Sequence, residues 1–336
     1  MQLSRRKSIV LTLGSGVALF GAGAWRYLES GRQNAVTRTA AALGAEATIT
    51  ILGLPAGPAN IALDAAFAEL EAVESVLSLY RSSSQVCELN RAGVVSRPHP
   101  YLLEVLRVAE ATSRRSAGAF DITVQPLWRL FAEAHRAGRL PPEPEIAAAR
   151  DLVDWRAVEV SRDTVRLTGD GKAITLNGIA QGYAADRVRQ VLREQGVRHA
   201  LVNTGEIGAC GANASRQPWT IGIQHPREPE AYVALAHLGD RSLATSGDYE
   251  TSFSADFRHN HIFDPRTGRS PGELASVSIV APTACQADAL STAAMVLGEA
   301  KTLALVATLP DVEAFLVRKD GATVATPGFP EVAAAG

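Results

Sequence analysis

An α+β fold, with two packed lobes of mixed sheet and helix and a site in the cleft between them, is what this 336-residue sequence predicts. Three observations lead there. Helical stretches with one apolar face are interspersed with short apolar runs that read as strands and hairpins. No internal repeat is present. The composition, 46% hydrophobic and 20% charged, supplies a large core and excludes wholesale disorder. The formal net charge of −2 argues against a nucleic-acid partner.

The elements follow in order. Ser4-Arg5-Arg6-Lys7 precedes an apolar run from Ile9 to about Trp25, with Ala22-Gly23-Ala24 as a cleavage site. Residues 1–33 therefore read as an export signal of the twin-arginine type, or as an uncleaved anchor, and 34–336 as one domain. The expected location is the periplasm, or the inner membrane facing it. Residues 34–40 read as a linker and 45–52 as a strand. A helix over 59–78 places Leu63, Phe67, Leu70, Val73 and Leu77 on one face, and a second helix covers 100–115. The proline-rich GRLPPEPEI at 138–146 reads as an exposed loop. Strands near 156–176 lead into a glycine turn and a helix over 183–195, with Ala184, Val188, Val191 and Leu192 inward and Arg187, Arg189 and Arg193 outward. Further strands fall at 199–203, 219–224 and 276–281, with a late helix at 300–308. A closing hairpin pairs 312–317 with 322–325 around Lys319-Asp320-Gly321. Arg114-Arg115, the arginines of the 187–193 face and Arg227 read as solvated. Trp128, Trp155 and Trp219 read as core or lobe contacts. Cys87, Cys210 and Cys285 are widely separated and lack metal spacing. Burial is the expected role of each, although one pair could bridge in an oxidising compartment.

Three segments carry chemistry. TLNGIAQGYAAD (175–186) joins the end of a strand, Ile174 to Leu176, to a helix through Asn177-Gly178, a junction suited to phosphate or, through the bare Gly178 carbonyl, to a cation. In DALST (288–292), Asp288 and Thr292 stand four apart on one helix face, ahead of a Gly298 C-cap. They offer oxygen to a hard cation, or else Asp288 caps the helix and Thr292 bonds back to a carbonyl. HNHIFDPRTG (259–268) combines imidazoles with an Asp-Pro…Thr-Gly turn, and reads either as a site or as a polar loop. ATSGDYE (244–250) reads as a small-residue turn able to approach a ligand closely. Neither a Walker loop nor a GxGxxG run is present.

Together with ALGAEATITI (42–51), LSLYRSSSQVCELN (77–90), GAFDITVQPLWRLF (118–131), ALVNTGEIGACG (200–211) and WTIGI (219–223), these segments resemble, in order, the ApbE family of flavin transferases. The resemblance implies FAD and Mg²⁺, and transfer of the FMN half of FAD to a Thr or Ser hydroxyl of a target protein with release of AMP. It implies metal ligation by Gly178, Asp288 and Thr292, with Asp288 also catalytic, and His261 as the base. Leu43, Tyr80, Ala119, Phe120, Asp121, Thr175, Gln181 and Ile262 fall at FAD-lining positions. One Mg²⁺ with a nearby imidazole base suits phosphoryl transfer, which needs positioning and charge neutralisation more than covalent catalysis.

Three departures stand out. Gln181 replaces a common Lys, Leu43-Gly44-Ala45 replaces Met-Gly-Thr, and Thr204-Gly205-Glu206 replaces a double-glycine acidic turn. They bear on FAD affinity rather than on reaction class. The leader, ALGAEA and GIAQGYA are similar to the NosX-like subgroup, which implies a membrane-bound redox subunit as acceptor and membrane association through the N-terminus. A FAD-binding protein or pyrophosphatase releasing FMN and AMP, and a non-catalytic scaffold, are the rival expectations.

Overall fold

The computed structural model describes residues 35–331; the leader and its cleavage site lie outside the described residues. The first strands are β1 (Ala35–Ala42) and β2 (Ala45–Leu52), followed by α1 (Ala56–Leu77), α2 (Gln85–Ala92), β3 (Val94–Ser96) and α3 (Pro100–Arg115). Next come α4 (Gln125–Arg136), α5 (Glu143–Arg150), β4 (Val158–Val160), β5 (Thr164–Leu167), α6 (Ala180–Glu194), β6 (His199–Asn203) and β7 (Ile207–Cys210). The chain continues through β8 (Trp219–Gln224), β9 (Tyr232–Leu238), β10 (Ser242–Gly247), β11 (Leu274–Ala281), α7 (Ala284–Leu297), α8 (Glu299–Val306), β12 (Glu313–Arg318) and β13 (Thr323–Ala325).

Eight strands form one antiparallel sheet in the order β1-β2-β6-β7-β10-β11-β12-β13. All eight residues of β11 are buried, as expected of a central strand covered on both faces. α1, α3, α6 and part of α7 share one core with β2 and β6, and the rest of α7 packs on β10 and β11. The two-stranded β8–β9 ribbon covers part of the sheet through Trp219, Ile221 and Ile223. A smaller aromatic cluster joins α4 and α5 to Phe253 and Phe263.

The mixed α+β architecture, the 100–115 helix, strands 45–52, 199–203 and 219–224, and the closing hairpin follow the sequence pattern. Elsewhere local signals mislead. Residues 35–42 are not linker but β1, paired along its whole length with β2. The proline-rich loop is shorter than its composition suggests: Pro144 enters the first turn of α5, where a missing N–H costs nothing, and Ile146 is buried. Ile174 to Leu176 form no ladder. Instead the Asn90 side-chain amide clamps Ile174, donating to its carbonyl (2.8 Å) and accepting from its N–H (2.7 Å). ATSGDYE is mostly strand, because Ser242–Gly247 pairs with β11 across six residues, and its small polar side chains hide any period-two pattern.

α6 and α7 meet at Gly182. A Cβ there would lie 2.2 Å from the Ala284 carbonyl oxygen and 2.8 Å from Asp288 Cβ, so only glycine permits this approach. Asp186 completes the junction, accepting from the Ala284 and Cys285 amides at 2.9 and 2.8 Å and so capping α7 from the neighbouring helix. Burial pushes its carboxyl above the ordinary range, against the lowering effect of those amides and of Arg189. Arg189 is not solvated: it is 4% exposed and donates to Ser242 Oγ (2.8 Å) and the Asp240 carbonyl (3.0 Å), stitching α6 to the start of β10 and the turn before it. All three cysteines are free, two of them buried and Cys87 half-buried.

Candidate active site

A cleft of about 770 Å³ opens where the β1–β2 turn, the end of α1, the loop before α4, the glycine turn, β10, α7 and the 249–263 loop meet. Every residue singled out from the sequence lines it: Leu43, Tyr80, Ala119, Phe120, Asp121, Thr175, Gly178, Gln181, His261, Ile262, Asp288 and Thr292.

The oxygen cluster is the best-defined part. Asp288 is 2% exposed and its Oδ2 accepts the Gly182 N–H at 3.0 Å. It does not cap its own helix; Thr283 does, accepting from the Gln286 amide. Thr292 lies one turn further along, 3.2 Å from Ser246 Oγ, which in turn lies 2.8 Å from Ser291 Oγ. At Gly178 a Cβ would fall 2.8 Å from Thr292 Oγ1, so the missing side chain is what lets the glycine turn close on α7. A buried carboxylate, a hydroxyl and a backbone turn in one cleft make an oxygen-only donor set, which fits Mg²⁺ and not a softer metal. Ser246 was not foreseen from sequence; its only signal was the small-residue run around it.

The 118–124 loop is shaped by Asp121. Its Oδ1 accepts from Thr123 N–H (2.8 Å) and Oγ1 (2.6 Å), and its Oδ2 from Trp155 N–H (3.0 Å). Burial raises this carboxyl above the ordinary range, and those three donors oppose the rise. Tyr80, 54% exposed, stands over the β1–β2 turn: a Cβ on Gly44 would lie 2.9 Å from its ring. Two of the sequence departures touch each other. Thr204 Oγ1 donates to the Gln181 carbonyl (2.9 Å), and a Cβ on Gly205 would lie 2.7 Å from Gln181 Cδ. The Thr204-Gly205-Glu206 turn and the glutamine are therefore one packing unit.

His261 projects from the 249–263 loop. Its backbone N–H donates to the Thr251 carbonyl at 3.0 Å, and its Nδ1 lies 3.3 Å from the same oxygen. That contact requires the tautomer protonated at Nδ1, which makes Nε2 the basic nitrogen. Two groups hold the loop. Phe253 and Phe263 pack on Phe131 of α4 at 5.7 and 5.0 Å. At its start the fully buried Asp248 accepts a two-pronged bond from Arg227 (2.7 and 2.8 Å), with Lys319 Nζ at 3.2 Å. Arg227 also stacks 4.3 Å over Phe257, and Lys319 donates to the Phe257 carbonyl. Arg227 is thus an anchor, not a solvated rim cation; sequence reading missed it because its partner lies 21 residues away on another element. Trp219 is core, with its indole N–H on the Cys210 carbonyl. Trp155 is stacked by Arg114 and Arg156, and Trp128 lines the cleft.

Residues 43–316 match the sequence model of the ApbE family. A Treponema pallidum FAD:protein FMN transferase is 34% identical over 299 residues, covering 82% of each chain. One from Klebsiella pneumoniae is 32% identical, covering 76% of this chain and 81% of its own. The chain belongs to the ApbE family. The fold agrees: the flavin transferase ApbE from Vibrio cholerae superposes with a TM-score of 0.77 at 26% identity, covering 88% of this chain and 98% of that one. The apo flavinyl transferase ApbE from Pseudomonas stutzeri gives 0.75 at 31% identity, covering 88% and 95%.

Proposed function

We propose that this chain is a Mg²⁺-dependent FAD:protein FMN transferase acting on a Thr or Ser hydroxyl of an exported redox protein. The observation that supports it most is the meeting of the oxygen cluster, the His261 loop and the Tyr80 and Ala119–Asp121 walls in one cleft of a chain that belongs to this family. FAD is the substrate. Asp288, Thr292 and the Gly178 carbonyl are the residues that would hold Mg²⁺, whose chemistry when bound is to neutralise charge on the pyrophosphate oxygens.

This chain's own groups do the rest. The walls orient the dinucleotide, and the buried α6–α7 junction fixes Asp288 before substrate arrives, so no reorganisation is needed at that ligand. His261 Nε2 takes the proton of the acceptor hydroxyl. The hydroxyl oxygen forms a bond to the FMN phosphorus, the bond from that phosphorus to the bridging oxygen breaks, and AMP leaves with the bridging oxygen. Positioned proton removal of this kind contributes about 10²–10⁴-fold.

The basic and then apolar sequence at 4–25 supports a location in the periplasm or on the inner membrane facing it, and a membrane-bound redox subunit, as in the NosX-like subgroup, is the acceptor class this favours. Among the described residues no helix is long and apolar enough to cross a membrane. The test is to incubate the chain with FAD, Mg²⁺ and candidate exported redox subunits and weigh the acceptor. A gain matching FMN, with AMP in equal amount, is expected. Free FMN and AMP beside an unmodified acceptor would instead make it a pyrophosphatase.

A further inference from the structure

We propose that Ser246 and Ser291 are positioning residues for the cation site: together they point the proton of Thr292 away from the cleft, so that its oxygen meets the ion with lone pairs alone. The inference rests on the transferase reading above. The hydroxyls form a chain. Ser291 Oγ donates to the Asp288 carbonyl at 2.9 Å, Ser246 Oγ lies 2.8 Å from Ser291 Oγ, and Thr292 Oγ1 lies 3.2 Å from Ser246 Oγ. Ser246 belongs to β10, and Asp288, Ser291 and Thr292 to α7. Ser291 is 1% exposed and, unlike Ser246 and Thr292, does not line the cleft.

The chain runs in one direction. A carbonyl oxygen only accepts, so the Ser291 proton is the one that bonds it. With that proton engaged, the contact between Ser291 and Ser246 must use the proton of Ser246. The contact between Ser246 and Thr292 must then use the proton of Thr292. Three contacts meet three protons, and no other assignment gives each contact its own. A helical threonine often bonds back to a carbonyl of its own helix. Thr292 does not: its only hydrogen-bond partner among the described residues is Ser246. Both lone pairs of Thr292 Oγ1 are therefore left for a partner on the side of the Gly178 turn, which comes so near that a Cβ on Gly178 would lie 2.8 Å from that oxygen. A neutral hydroxyl free to rotate offers a cation its proton as readily as its lone pairs. Fixing it from behind removes that competition, as outer groups do for other metal ligands. Asp288 thus acts twice, through its carboxylate at the site and through its backbone carbonyl at the end of the chain.

Removing links should produce an unusual order of effects. In Ser291→Ala the Ser246 proton loses its acceptor and turns to Thr292 Oγ1, which drives the Thr292 proton into the cleft. In Ser246→Ala, and in the double variant S246A/S291A, Thr292 rotates freely but nothing drives it. The full chain with FAD and no acceptor is titrated with Mn²⁺, and free Mn²⁺ is read by electron paramagnetic resonance. Ser291→Ala should weaken Mn²⁺ binding about tenfold, the size expected when a ligand loses its outer support. Ser246→Ala should weaken it about threefold and the double variant about threefold as well, so the second substitution restores most of what the first removed, whereas independent losses would add. Thr302→Val deletes another buried hydroxyl bonded to α7 and should leave Mn²⁺ affinity within about twofold, which controls for loosened packing. Parent-like affinity in Ser291→Ala, or a double variant weaker than both single ones, overturns the proposal. So does a loss in Thr302→Val as large as that in Ser291→Ala. Binding is read without turnover, so the expected order beside an acceptor that gains no FMN counts against the transferase reading and leaves the hydroxyl chain standing.

Discussion

On one wall of the cleft Asp288 and Thr292 ride on α7, whose inner face is buried and which closes on α6 through a glycine that no other residue can replace. On another, His261 rides on a loop fastened by Asp248, Arg227 and Lys319 at its root and by phenylalanines beneath it. The first wall is set by packing, which is stiff and insensitive to salt. The second is set by a buried charge cluster, which is strong only while every partner is present. The oxygens that would hold a cation are thus fixed by helix packing, whereas the base depends on a charge cluster and an aromatic cluster that hold its loop.

Substitutions on each wall should therefore fail differently. Asp288→Asn, which keeps the shape and the acceptor for Gly182 N–H, should cut FMN transfer by about 10³-fold or more while thermal unfolding moves little. Full activity in that variant would remove the cation assignment. His261→Gln should slow transfer by about 10²–10³-fold and abolish the rise of rate with pH that a neutral imidazole base produces, with FAD affinity unchanged. A pH–rate profile identical to that of the parent would take the base role away.

Legibility from sequence followed the same division. That Asp288 and Thr292 share a helix face and that a glycine turn stands at 177–178 was readable, because spacing of four and a bare Gly are local signals, whereas their pairing as one site, like the choice of His261, came only from the family resemblance. So were the strands and helices with apolar periodicity. The Arg227–Asp248–Lys319 cluster was not, since three loops far apart in sequence build it. β10 escaped because its residues are small and polar, and Ser246 because an isolated polar residue carries no pattern.

The smaller effects sharpen the contrast. Arg227→Gln leaves a buried carboxylate with Lys319 alone and should cost about 3 kcal/mol, the usual size for breaking a buried pair. Hydrogen exchange should then quicken across 249–263 and not across α7; uniform quickening would mean the two walls are one unit. Gly182→Ala should destabilise by about 3 kcal/mol or more, because the added Cβ meets backbone rather than a movable side chain, and should displace Asp288 and lower transfer out of proportion to stability. The smallest effect concerns Asp121. Its raised carboxyl pKa means the folded chain holds that proton more tightly than the unfolded one, so this group's contribution is complete below the ordinary carboxylate pKa and is lost as pH rises through the folded value. Asp121→Asn should flatten that part of the stability curve, measured by denaturant midpoints from acid to neutral pH; an unchanged slope would contradict it.

On the proposed function, three oxygens, the Gly178 carbonyl, one from Asp288 and one from Thr292, would gather around one divalent ion. Anomalous diffraction from crystals grown with FAD and Mn²⁺ in place of Mg²⁺ locates that ion. A single strong peak within coordination distance of all three oxygens, absent in Asp288→Asn, is the predicted result. A peak elsewhere in the cleft, or one that survives the substitution unchanged, would contradict it.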